Sequence, residues 1–130
     1  MATLTPTLTL VSTDAFSHQP INVSVTDSLS VVAPYTDLSR IAAATSGGTE
    51  LIAATQAVVT YIFLKHTGVL ASNGNATENL VTIENATSGE GIATLAAGEF
   101  MFLPLKASEG LQVISASAQV FVEYIYFSKA

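Results

Sequence analysis

Val120-Phe121-Val122-Glu123-Tyr124-Ile125-Tyr126-Phe127 carries a single charge in eight residues, and every other side chain is a ring or a β-branched aliphatic. Such residues suit a pleated strand rather than a helix. Two more runs share the composition: Val58-Val59-Thr60-Tyr61-Ile62-Phe63-Leu64-Lys65 and Phe100-Met101-Phe102-Leu103-Pro104-Leu105. An antiparallel sheet usually presents one face to water, so strands that are apolar in both phases need cover on both faces. One cover is a second sheet of the same fold. The other is a neighbouring subunit, which makes Tyr61, Phe63, Phe102, Phe121, Tyr124 and Tyr126 the candidate oligomer interface.

Outward from these runs the period stays at two. Residues 21–25, 29–32, 80–84, 92–95 and 111–114 alternate or nearly alternate, and each is bounded by turn residues. Residues 38–44 and 50–53 flank Thr45-Ser46-Gly47-Gly48-Thr49, where adjacent glycines supply the positive φ of a short hairpin. The Ala-rich pieces at 42–44 and 51–57 would also tolerate a helix, and strand and loop are preferred. Residues 72–75, 88–91 and 97–99 read as exposed tips or tight turns. The sum is an all-β, antiparallel protein of eight to ten short strands, the pattern of a sandwich or barrel. Near the start, Leu4-Thr5-Pro6-Thr7-Leu8-Thr9-Leu10-Val11 alternates around a proline that cannot donate to a ladder. Residues 1–20 therefore read as an extended arm or edge strand, and residues 21–130 as a single β-sandwich domain.

Composition narrows the function classes. Arg40, Lys65, Lys106 and Lys129 face ten acidic side chains, a net charge of −6 that a phosphate backbone would repel, so nucleic acid is set aside as a partner. With 49% apolar and 11% charged residues and a mean hydropathy of +0.50, the chain is too greasy for disorder and rich in apolar surface for a lone soluble domain. No run reaches the roughly 18–20 apolar residues of a membrane-spanning helix, so no membrane association is expected. The first residues lack the basic flank and continuous apolar core of a secretory signal. Asn22, Asn75 and Asn85 each begin an Asn-x-Ser/Thr triplet, as chance provides in a chain this rich in Ser and Thr.

Chemistry finds little to work with. Cysteine is absent, which removes disulfides and thiolate metal sites. His18 lies beside Ser17 and Asp14 in a polar link, where a solvated loop histidine is the default reading. His66, at the end of a strand, reads as a surface or interface residue rather than a general base. No nucleophile elbow, phosphate loop or calcium loop is present, and the acids scatter among turns instead of pairing across a substrate. Glu123, inside an apolar strand, reads as an outward residue that discourages edge pairing or meets a Lys or Arg across an interface. The expectation is a non-enzymatic protein with no cofactor and no metal.

In order and style, the chain resembles the small all-β structural proteins of tailed-phage particles, in particular capsid decoration (cement) proteins and head fibres. The likeness runs through Val59-Thr60-Tyr61-Ile62-Phe63-Leu64-Lys65, a polar Asn/Gly/Thr loop, and Ile92-Ala93-Thr94-Leu95-Ala96-Ala97-Gly98-Glu99-Phe100 leading into Leu103-Pro104-Leu105. It closes with Glu109-Gly110-Leu111-Gln112-Val113 and the aromatic C-terminal strand, covering residues 50–127. The resemblance implies a jelly-roll-like sandwich, often trimeric, that sits on the capsid surface, fastens major capsid protein subunits together and is assembled in the host cytoplasm. It carries no functional residue across. On that reading residues 1–20 contact the capsid or a neighbouring protomer, with Leu4, Pro6, Leu8 and Leu10 as the capsid-contacting side chains. The alternative is a carbohydrate- or receptor-binding module of a tail fibre or spike, whose ligand would lie at the loops of residues 72–77 or 88–91.

Overall fold

The computed structural model describes residues 1–130 as twelve antiparallel strands in three sheets, without a helix. The chain divides into two compact units, Met1–Val32 with Lys129–Ala130, and Ala33–Ser128.

The first unit is a two-stranded ribbon. β1 (Ala2–Leu4) and β2 (Thr7–Ser12) run antiparallel to β3 (Ile21–Thr26) and the start of β4 (Leu29–Tyr35). One register holds from Ala2↔Val31 to Ser12↔Ile21, and the Asp27 amide donates to the Pro6 carbonyl at 3.1 Å across the break between β1 and β2. Pro6 causes that break, because it has no N–H to continue the ladder. Alternation then sorts the ribbon into two faces. Thr7 meets Thr26 and Thr9 meets Ser24 through their hydroxyls on one. Leu4, Pro6, Leu8 and Leu10 share the other with Val23, Val25, Leu29 and Val31.

In the second unit, β12 (Val120–Lys129) lies between β7 (Thr60–Leu70) and β5 (Ser39–Ala43), and β10 (Phe100–Leu105) continues the sheet beyond β7. The end of β4 enters beside β12, where the Ser128 hydroxyl donates to the Pro34 carbonyl at 2.7 Å. The second sheet has the order β6 (Thr49–Ile52), β11 (Leu111–Ser115), β8 (Val81–Asn85), β9 (Gly91–Leu95). The pairings nest: β5 with β12, β6 with β11, β7 with β10, β8 with β9. Inward residues of both sheets build one core, in which Ile62, Leu64, Val122 and Val120 meet Val81, Ile83, Leu111 and Val113, all fully buried.

Three expectations are corrected. There are twelve strands rather than eight to ten, because Pro6 splits the first run and each short piece around the glycine turn is a strand of its own. Gly47 and Gly48 do have positive φ, 73° and 74°, yet they carry the chain from one sheet to the other instead of closing a hairpin. β7 also runs past Lys65 to Leu70, since a bulge with Gly68 at φ 79° lets the ladder with β12 resume after the apolar pattern stops. Leu64→Ala removes a fully buried side chain and is expected to lower the unfolding free energy by about 3 kcal/mol. Ile92→Ala, at a site 49% exposed on β9, an edge strand of the second sheet, should change it by less than about 0.5 kcal/mol. Urea denaturation of the two variants checks both values.

Candidate interaction surface

The registers of β5, β12, β7 and β10 fix which side chains share a face. On the outer face, Arg40, Glu123, Lys65 and Phe100 form one row, Ile125, Phe63 and Phe102 the next, and Phe127, Tyr61 and Pro104 the third, with Phe121 opposite Ala42. The inner face carries Ile41 and Val122, then Tyr124, Leu64 and Met101, then Tyr126, Ile62 and Leu103. The six rings proposed from sequence as an interface therefore divide. Tyr61, Phe63, Phe102 and Phe121 lie outside, whereas Tyr124 and Tyr126 are half-buried against the core.

The outer face is ordered by its own contacts. Tyr61 and Phe102 stack nearly parallel, with centroids 6.0 Å apart and 6° between planes, and Tyr61 is buried. Phe63 and Phe100 tilt together at 6.3 Å. Such ring pairs add about 0.5–1.5 kcal/mol beyond the area they bury. At the far edge Arg40 places its guanidinium 5.4 Å from the Phe121 centroid and donates to Glu123 Oε1 at 2.9 Å. Glu123 thus meets its arginine on a neighbouring strand of the same chain. Because Arg40 is 53% exposed, the pair contributes at most about 1 kcal/mol, and its main effect is to hold the edge strand in register. Lys65, between Glu123 and Phe100 in the row, is exposed and has no acid within 4 Å. Phe100 and Phe102 stay 60% and 40% exposed, an apolar patch on a strand whose far edge is unpaired.

The ribbon of the first unit offers a second apolar surface. Val31 at its base is buried and Leu4, Pro6 and Leu29 are half-buried. Toward the tip Leu8, Leu10, Val23 and Val25 are 44–56% exposed.

The remaining sequence candidates are placed elsewhere. His18 sits in an exposed loop with its ring 5.9 Å from that of Phe16. His66 is not at the surface as expected but fully buried, since it follows Ile62 and Leu64 in phase on the inner face. Its Nδ1 accepts from the Gly68 amide at 2.9 Å, which leaves the proton on Nε2 to donate to the Asn79 carbonyl at 2.7 Å. One ring thereby ties the bulge of β7 to the loop before β8. No three His, Asp or Glu side chains gather to hold a metal ion. The loops considered for a glycan are closed on themselves: Asn73 Oδ1 accepts from the Asn75 amide, and Asn85 Oδ1 from the amides of Thr87 and Ser88. Residues 71–99 contain no aromatic ring on which a sugar could stack.

The six rings expected from sequence at an interface do not include Phe100, Ile125 or Phe127, and the sequence does not name Arg40 and Lys65 as the neighbours of Glu123. A usable signal was present. Glu123 and Lys65 each mark the outward phase of their strand, and counting in twos from them assigns Phe121, Ile125, Phe127, Tyr61 and Phe63 to that face. His66→Ala, which strands the Gly68 N–H and the Asn79 carbonyl and opens a cavity, is expected to cost about 3 kcal/mol by urea denaturation. It should also speed amide exchange at Gly68 before it does so in β11. No family model, no curated protein and no solved structure matches this chain.

Proposed function

We propose that the chain is a non-enzymatic structural protein of a phage virion, of the decoration type, which forms a homotrimer and binds the outside of the capsid to stabilise the shell. The observation that carries this reading is the outer face of the β5–β12–β7–β10 sheet, where Phe100 and Phe102 remain exposed beside Phe63 and Tyr61 in a single chain. A face built of stacked rings, crossed by one short row of charges, resembles the aromatic centre of a protein interface more than a solvated surface. The arm bearing Leu4, Pro6, Leu8 and Leu10 is the protein's contact with the shell or with a neighbouring protomer.

The nesting of strand pairs supports the jelly-roll-like sandwich within the fold. The pairs β5/β12, β6/β11, β7/β10 and β8/β9, with β12 beside β7 and β11 beside β8, favour that reading, since rolling up one long antiparallel ribbon would bring such strands together. Architecture alone assigns no function; it places the aromatic face on a rigid sheet.

Shells of the encoding phage, prepared without this protein, provide the test. Added protein should bind them saturably and raise their thermal disruption temperature by several degrees, while Phe100→Ser with Phe102→Ser should lose at least ten-fold in occupancy. Absence of binding to such shells, or saturable binding to a glycan at the residue 72–77 loop, would overturn the assignment.

A further inference from the structure

The tip of the ribbon poses a problem that one chain does not solve. Leu8 stands opposite Val25 and Leu10 opposite Val23, so four aliphatic side chains form a continuous stripe on one face of a two-stranded hairpin. All four are about half exposed, and the hydroxyl ladder of Thr7, Thr26, Thr9 and Ser24 occupies the other face. A hairpin of two strands is marginal in water unless its apolar face is covered. The ring face of the second unit has the complementary need, with Phe100 and Phe102 bare.

We infer that the Leu8, Leu10, Val23, Val25 stripe of one protomer packs on the Phe63, Phe100, Phe102 face of a second copy of this chain. This rests on the homo-oligomer part of the proposed function and is independent of the shell. Charge favours a second copy as the occupant: strands β2 and β3 carry none, and the ring face carries Arg40, Lys65 and Glu123, a net +1 in a chain of −6. Bringing these two patches together sets no acid against an acid, whereas the outer side of the second sheet presents Glu50 and Glu84 flanking Gln112. A contact between two different patches is heterologous, the kind that closes rings such as trimers.

The test uses purified protein without shells. A photoreactive benzoylphenylalanine in place of Phe102 is irradiated, and the products are separated on a denaturing gel. The expected result is a covalent band at the mass of two chains, with the adduct mapping to residues 7–12 or 21–26 of the second chain. Leu10→Asp, at an exposed position that leaves the second unit's core intact, should weaken that band at least ten-fold with an unchanged far-ultraviolet spectrum. Adducts confined to one chain, or two-chain adducts mapping outside the ribbon, would overturn the inference. If two-chain adducts form as expected and shells are still not bound, the virion reading fails while the pairing stands.

Discussion

The structure depends on two adjacent strands, β7 and β12, being apolar in both phases. Their pairing commits one phase of each, Ile62 and Leu64 with Val122, Tyr124 and Tyr126, to a core shared with the second sheet. The same pairing forces the other phase, Tyr61 and Phe63 with Phe121, Ile125 and Phe127, to lie together on the opposite side. Period-two geometry allows no compromise, since slipping the register by one residue would exchange the two sets. An outward aromatic face is thus a geometric consequence of the core. β10 extends it with Phe100 and Phe102, 60% and 40% exposed.

Polar groups in this unit act as fixings. Arg40 binds Glu123 and covers Phe121 at once, which pins the edge strand β5 to β12 where the apolar face meets solvent. His66 occupies an inward position that alternation would otherwise give to an aliphatic side chain, and uses both ring nitrogens to fasten the bulge after Lys65. On the second sheet Gln112 donates to Glu84 at 2.8 Å, and Glu50 lies opposite Gln112 on the other side, so that outer face is polar. The two sheets therefore turn unlike outer faces away from one core, one fit for water and one fit for contact.

Much of this was legible in the residues. The runs that became β7, β10 and β12 stood out because rings and β-branched side chains crowd them, and the β2 and β3 segments because Thr, Asn and Ser alternate with aliphatics. Pairing was less legible. Gly47 and Gly48 announce a turn but not which strands it joins, because a hairpin and a crossing between sheets require the same positive φ. That Leu8 and Leu10 share their face with Val23 and Val25 depends on a ladder closed across residues 13–20, which no local pattern in that polar link records. Composition groups Tyr124 and Tyr126 with Phe121, whereas the phase set by Glu123 separates them. For His66 the polar residue type points to the surface, whereas its phase puts it inside, and its two backbone partners are distant in sequence or hidden in a bulge.

If another copy of the chain covers the aromatic outer face, the purified protein associates, and sedimentation equilibrium at micromolar concentration measures that association. The expected mass is three times the 13.5 kDa of one chain, falling toward one chain when Phe100 and Phe102 are both replaced by serine. A wild-type mass of one chain at every concentration up to the millimolar range would contradict it.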